Sequence, residues 1–307
     1  AALSSEDGND GNVAVGYKTL EDLNAGTTGD NVAVGYICGM NLTTGVKNTL
    51  MGSNAGDALT DADNNTAIGK NALGADTLGS LSTAVGYQAL LSQNFTTATN
   101  AYNAALGVSA GASVSTGIKN TFLGAEAGNS ITTGSENIMI GFNVDSSAVG
   151  SSHQYVMGSG ITGGEDNQFM FGKASNTVAN EFDTDNSWTR SSDVRKKKNI
   201  ENSTLGLDFI NDLRPVTFEW KPNNEFPKDF VEYSEENHMT TGVTMHGMIA
   251  QEVKAALDKA DISTFGGWKE DKDGSQRISQ EMFVYPLIKA VQELSNEVKQ
   301  LKEKLNG

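Results

Sequence analysis

A short apolar motif between an asparagine and a glycine recurs through the first half of the chain. Residues 12–16 read Asn-Val-Ala-Val-Gly, and related five-residue units end at a series of later glycines. The closing residues are Gly16, Gly35, Gly52, Gly69, Gly86, Gly107, Gly124 and Gly141, mostly 17 residues apart. Apolar or β-branched residues flanked by turn formers predict a short strand. A fixed period predicts stacked coils, because one coil cannot bury an apolar face alone.

Alternation within each unit separates two faces of the predicted strand. Val13 and Val15 lie on one face and Ala14 on the other. The position of Val15 is aliphatic in every copy, a regularity that disordered Gly/Asn/Thr-rich linkers lack. The pattern predicts a parallel β-roll or solenoid shaft over 1–150. Weaker echoes of the motif predict irregular repeats and a junction over 151–191.

Composition changes near Ser192. Residues 1–191 include 18 acidic and 6 basic side chains, whereas residues 192–307 include 20 acidic and 16 basic ones. All four prolines lie after Ser192. Two domains therefore fit the chain. Ser203 or Thr204 is predicted to cap a helix that ends before Pro215. A half-buried strand is predicted next, then a strand over 246–249 and a helix over 251–257. The alternating residues of the first strand are Val216, Phe218 and Trp220. Together these elements predict a small α+β domain over 192–307.

The last helix has a heptad pattern. Its apolar residues, spaced by alternating steps of four and three, are Leu287, Val291, Leu294, Val298, Leu301 and Leu305. This predicts a coiled coil over about 285–306, too short to be stable without the domain before it. Valine at a with leucine at d favours two strands.

The junction contains one candidate for chemistry. Residues 191–200 read Ser-Ser-Asp-Val-Arg-Lys-Lys-Lys-Asn-Ile. A neutral lysine can take the proton of a serine hydroxyl and make it a nucleophile. Ser192 with Lys197 is therefore a candidate catalytic pair, while a solvated basic turn is the alternative for the charged run.

Longer patterns around this pair resemble a known family. Trp188 precedes Ser192-Asp193-x-Arg195-x-Lys197-x-Asn199-Ile200, and blocks at 213–220, 247–253 and 285–305 follow in order. This arrangement resembles the endosialidase-type intramolecular chaperone domain (peptidase S74) of bacteriophage tail fibres and tailspikes. The shaft motif resembles the head repeats of trimeric bacterial adhesins, a left-handed parallel β-roll. Lys196 stands where the chaperone family usually has an aliphatic residue.

The resemblance implies an activity and an assembly. Ser192 would attack the carbonyl of Ser191, with Lys197 as base, and the chain would cut itself once between Ser191 and Ser192. The domain would act as a self-cleaving serine endopeptidase and as a folding chaperone of a homotrimer in the virion tail, assembled in the host cytoplasm. Three strands are then expected in the coil. The alternative is a non-enzymatic trimeric adhesin with a permanent C-terminal cap.

Charge and composition limit the classes of partner and cofactor that fit the chain. A net charge of −16 argues against nucleic acid as a partner, and no apolar run is long enough for membrane insertion. His153, His238 and His246 have no metal-binding spacing, so no metal and no cofactor are expected. A host cell-surface receptor or glycan is a possible partner, and a myelin-regulatory type of transcription factor is disfavoured. The first residue, Ala1, suggests a fragment of a longer protein.

Overall fold

The computed structural model describes residues 1–5, 11–26, 28–174, 176–183, 188–189 and 192–306. The chain divides into two compact units, Ala1–Lys196 and Lys197–Gly307. Each unit is described by itself.

The first unit is a β-solenoid, as the repeats predict. Its strands are β1 Val13–Val15, β2 Val32–Val34, β3 Thr49–Met51, β4 Thr66–Ile68, β5 Gly79–Ser80, β6 Thr83–Val85, β7 Thr99–Asn100, β8 Ala104–Leu106, β9 Thr121–Leu123, β10 Ile138–Phe142, β11 Gln154–Ser159, β12 Gln168–Lys173 and β13 Asn176–Glu181. Among the described residues, all of these except β5 and β7 form one sheet in chain order. Neighbouring strands are parallel until β13, which pairs antiparallel with β12. The sheet therefore grows by one strand for each coil and ends in a hairpin.

The middle residue of each short strand points into the core. Equivalent positions are directly paired across the strands, as Ala105 is with Phe122 and Phe122 with Met139. These middle residues are almost fully buried: Ala33, Leu50, Ala67, Ala84, Ala105, Phe122, Met139 and Val156. The position of Val15 lies on the opposite face, where Val15 is 56% and Leu106 54% exposed. The most regular aliphatic position of the repeat is thus on the outside of the single chain.

Except in the motif that starts at Ser82, an asparagine opens each motif, and from Asn31 onwards these asparagines are buried and form a ladder through the coils. Asn120 Oδ1 accepts the backbone N–H of Asn137 at 3.0 Å, and Asn120 Nδ2 donates to the carbonyl of Gly134 at 2.9 Å. Equivalent bonds link Asn31 to Asn48 and Asn48 to Asn65. Because each amide satisfies buried groups of the next coil, it fixes the register between coils.

Breaking this ladder is expected to destabilise the shaft. Asn120→Ala leaves the buried N–H of Asn137 and the carbonyl of Gly134 without their amide partner. Each unsatisfied buried group costs about 1–3 kcal/mol, so we expect a loss of roughly 2–4 kcal/mol in the free energy of unfolding. Chemical denaturation measures it. Thr116→Ala, an exposed change in a neighbouring turn, is the control, and an equal effect of the two would contradict the ladder's role.

The coil that starts at Ser82 lacks the asparagine and is repaired by its neighbours. This step of the repeat is 21 residues long, but Gln93 lies seven residues after Gly86, at the position that Asp76 and Val114 occupy in the neighbouring coils, and it is buried. Gln93 Nε2 donates to Ser82 Oγ at 3.0 Å, and Gln93 Oε1 accepts from Asn103 Nδ2 at 2.8 Å. The carboxylate of Asp76 holds Gln93 Nε2 at 2.6 Å. A glutamine thus bridges the gap left by the shorter serine.

Close stacking of the coils requires glycine at the end of each strand. Gly107 has φ +146°, and a Cβ there would lie 2.3 Å from the carbonyl oxygen of Gly124 in the next coil. A side chain at this position would collide with backbone that cannot move away. This close approach is the physical reason for the recurring glycine.

Cys38 is enclosed within the solenoid core. It is fully buried, and burial raises the pKa of its thiol to about 11. The thiolate is the reactive form, so we expect no reaction of the folded protein with a disulfide reagent such as DTNB at pH 8. Complete reaction is expected in denaturant, whereas rapid labelling of the folded protein would contradict this burial.

The second unit is a small α+β domain, also as predicted. Its elements are α1 Leu207–Asp212, β14 Val216–Phe218, β15 Met245–Gly247, α2 Ala250–Lys259, β16 Trp268–Glu270, β17 Gln276–Ile278 and α3 Val284–Asn306. Strands β14 and β15 form one antiparallel pair and β16 and β17 another. Phe209, Phe265 and Phe283 pack together at the centre, joined by Val253 and Leu257.

Two local predictions in this unit were wrong. Gly206, not Ser203 or Thr204, is the N-cap residue of α1, and it provides no side-chain cap. The carboxylate of Glu293 in α3 takes that role and accepts the N–H of Leu207 at 2.7 Å. Glu293 is 86 residues away, so a local sequence window could not reveal it. The strand β14 ends at Phe218, which leaves Trp220 outside it.

Candidate functional site

The chain around the predicted nucleophile forms a tight turn. Ser192 and Asp193 precede a 3-10 helix at Val194–Lys196. Asp193 Oδ1 accepts the backbone N–H of Arg195 at 2.8 Å and its Nε–H at 3.0 Å. The hydrogen bonds from Arg195 lower the pKa of the Asp193 carboxyl to about 2. Asp193 and Arg195 therefore shape the turn.

The two predicted catalytic residues lie on either side of the unit boundary. Ser192 is in the first unit, before the turn, and Lys197 is the first residue of the second. Both side chains are exposed in the single chain. Lys197 is followed by Lys198 and by Asn199, whose φ of 52° makes a left-handed turn. The pairing of Ser192 with Lys197 stays a prediction.

The chain just upstream is fastened to the end of the solenoid. Thr189 N–H donates to the carbonyl of Ala179 at 2.7 Å, and Ala179 N–H donates back at 3.1 Å. Trp188 packs edge-on against Phe169 and Phe171, with ring centroids 5.7 and 5.4 Å away. Ser191, on the acyl side of the predicted cut, lies outside the described residues. The described chain is thus anchored two residues before the predicted scissile bond.

An ion pair connects two of the sequence blocks of the second unit. Arg214, in the block at 213–220, forms a two-point salt bridge with Glu252, in the block at 247–253. The hydrogen bonds that Arg214 donates to the Glu252 carboxylate raise the pKa of Arg214. Both residues belong to blocks that carry the family resemblance, but the sequence assigned neither of them a role. In the structure their salt bridge holds the chain just before β14 against helix α2.

A cleft of about 620 Å³ opens beside β14. Its walls include Trp220, Phe226, Ile249 and Arg277. None of the described residues that line it is serine, threonine, cysteine or histidine. His246 is exposed on β15. The sequence predicted chemistry at the junction and not at this cleft.

Two apolar surfaces are uncovered in the single chain. The outer sheet face of the solenoid includes Val15, Met51, Leu106 and Leu123, all more than 40% exposed. The coil stripe of helix α3 consists of Leu287, Val291, Leu294, Val298, Leu301 and Leu305, each at least 44% exposed. In contrast, Pro286 and Ala290 of α3 are buried. Contiguous apolar surfaces of this extent mark contacts with other molecules.

Aromatic residues of the solenoid divide between packing and exposure. Tyr17 and Tyr36 stack between successive coils with centroids 5.4 Å apart, and Phe95 is buried. All four tyrosines, Tyr17, Tyr36, Tyr87 and Tyr102, are about half exposed. No group of His, Cys, Asp or Glu in the described parts of the chain could hold a metal ion. Nor does any helix within those parts have the length and apolar content to span a membrane.

Comparison with known proteins identifies one region. Residues 192–262 match the family model Peptidase_S74, described as chaperone of endosialidase. No curated protein and no solved structure matches the chain. The match agrees with the resemblance seen in the sequence and supports a C-terminal chaperone domain of the tail-fibre kind behind a β-solenoid.

Proposed function

From the match of residues 192–262 to the chaperone of endosialidase family, we propose that this chain is a phage tail-fibre segment that assembles as a homotrimer and then cuts itself. The observation that supports this best is where the match begins, which is at Ser192, the predicted nucleophile. A self-released domain would start at that residue. Division of the chain into a shaft over 1–191 and a chaperone over 192–307 follows from the proposal, as does location in the virion tail.

Trimerisation is supported by the two uncovered apolar surfaces. The coil stripe of α3 is spaced for a coiled coil, and the outer sheet face of the solenoid offers a long second contact for parallel shafts. Assembly of three solenoids in register requires contacts between distant parts of the chains. Such assembly is slow because chain entropy is lost before these contacts stabilise the structure. A C-terminal trimer that forms first would bring the shaft chains into register.

The proposed chemistry is an acyl shift followed by hydrolysis. Lys197 Nζ, unprotonated, takes the hydroxyl proton of Ser192, whose Oγ attacks the carbonyl carbon of Ser191. The C–N bond then breaks, and the proton passes to the new amino group of Ser192. Water hydrolyses the ester between Ser191 and Ser192 Oγ, so that a carboxylate and a free hydroxyl remain.

Assembly supplies a reason for cutting only at the end of folding. Lys197 is exposed in the single chain, and the proposed reaction needs its amine unprotonated. Burial and nearby cations favour the neutral form. Arg195, Lys196 and Lys198 provide the cations, and contacts within a trimer would provide the burial. The nucleophile is therefore expected to be activated by the assembled state.

Light scattering with intact-mass analysis tests the proposal directly. The freshly folded protein should yield a trimeric shaft whose chains end at Ser191, and fragments that begin at Ser192. A soluble trimer with an unbroken chain would instead favour the adhesin with a permanent cap. A monomer would overturn both.

A further inference from the structure

A polar cleft on the side of the solenoid has no assigned role. It has a volume of about 390 Å³, within the range of about 300–1,000 Å³ that small-molecule sites occupy. The residues that line it, from the turns of three successive coils, are Asn54, Asp57, Asn71, Gly74, Ala75, Leu91, Ser92 and Asn94. All belong to the turns that follow strands β3, β4 and β6, so the cleft is separate from the outer sheet face.

The cleft exists because one coil lacks a side chain. Five residues after the closing glycine, neighbouring coils have Met40, Asp57 and Leu91, whereas this coil has Gly74. Gly74 has no left-handed φ, and a Cβ there would meet no atom closer than 3.3 Å. The backbone conformation therefore does not require glycine here, and a Cβ would need only a small shift of the Asn71 carbonyl, in contrast to Gly107. Because Gly74 has no side chain, the space beside Asp57 is open. A Cβ at residue 74 would lie 3.5 Å from Asp57 Oδ1.

Polar side chains around this space are held in place by hydrogen bonds, and they keep donors and acceptors for further bonds. Asn54 Nδ2 donates to Asp57 Oδ2 at 3.1 Å and fixes the carboxylate. Thr77 Oγ1 donates to Asn94 Oδ1 at 3.1 Å, which leaves the Asn94 amino group for another partner. Within the described residues, the side chains of Asn71 and Ser92 make no hydrogen bond. Partial burial raises the pKa of the Asp57 carboxyl.

We propose that this cleft binds a neutral saccharide. The carboxylate of Asp57 accepts a sugar hydroxyl, and the amides of Asn71 and Asn94 donate to others. Ala75 and Leu91 offer apolar contact for the C–H face of a ring. An acidic sugar is disfavoured because Asp57 and the net charge of −16 repel it. The site lies in the shaft and does not depend on self-cleavage.

Two substitutions separate the cleft from the fold. Gly74→Leu installs the residue that Leu91 provides in the next coil and fills the space. Asp57→Asn removes the charged acceptor and keeps the shape. Ala112→Leu is the matched control, since it adds the same side chain at the same place in a coil beyond the cleft. All three variants should trimerise and self-cleave like the wild type, so failure of this proposal is distinct from failure of the chaperone function.

Binding is measured by biolayer interferometry on immobilised, purified neutral bacterial polysaccharides, with acidic polysaccharides as a second arm. The wild-type trimer should bind at least one neutral polymer. Loss of a hydrogen bond to a charged group weakens binding by about tenfold or more, so Asp57→Asn and Gly74→Leu should each lose at least about tenfold. Ala112→Leu should bind as the wild type does. The proposal is overturned by binding of acidic polymers alone, by no binding, or by equal binding of all variants.

Discussion

Ser192→Ala is expected to leave the 307-residue chain uncut, because it removes the only atom that can attack the carbonyl of Ser191 in the proposed reaction. Lys197→Arg is expected to give the same result. A guanidinium stays protonated and cannot act as a base, although it retains the charge and the reach of the side chain. Intact-mass analysis after folding measures the cut fraction, and we expect a decrease of at least about a thousandfold in rate for either variant.

The controls for this prediction are residues near the predicted pair in the sequence. Lys198→Arg changes the neighbouring cation conservatively, and Ser203→Ala removes a nearby hydroxyl; both variants should be cut as the wild type is. Trimer content is measured in parallel, since an uncut trimer assigns the defect to chemistry and an uncut monomer assigns it to assembly. Normal cutting of Lys197→Arg would refute a role for Lys197 as base.

Charging the coil stripe should prevent assembly altogether. In Leu294→Asp with Leu301→Asp, two exposed apolar side chains of α3 become carboxylates that would meet their copies across the coil axis. Burial of an unpaired charge costs several kcal/mol, more than a short coil can offset. We expect a monomeric or insoluble, uncut product by light scattering and intact mass.

A double variant on the solvent side of α3 provides the comparison. Asn296→Asp with Gln300→Asp adds the same number of carboxylates to the same helix, away from the heptad positions. Both variants leave Glu293 in place, which matters because Glu293 caps α1. Deletion of the whole helix would remove that cap and confuse folding with assembly. A soluble, self-cleaving trimer of Leu294→Asp with Leu301→Asp would refute the role of the stripe.

The period of the sequence predicted the shaft well because each coil contacts only the coils next to it, at equivalent positions. The glycines recur because successive coils touch backbone to backbone at positions such as Gly107 and Gly124. The pattern did not tell which strand face is inside, since both faces are apolar: Ala14 and Val15 are neighbours in the same strand. Which face is buried depends on the direction in which the chain turns after each strand, and the conformation of the turns sets that direction.

Contacts between distant residues escaped prediction for a different reason. Glu293 caps a helix 86 residues earlier, and Arg214 pairs with Glu252 across 38 residues. Neither distance corresponds to a period of a helix or a strand. The candidate pair at Ser192 and Lys197 was found from a pattern of residue types, and its geometry stays a prediction.

The repair of the asparagine ladder by Gln93 has a practical consequence. The added residues of this coil follow Gln93, and the strands on either side keep their register although the coil is four residues longer than its neighbours. Thr96, Thr97 and Ala98, in the added segment, are exposed. A foreign peptide grafted there would be displayed at a fixed height along the solenoid, so this coil is a natural point for inserting new sequence.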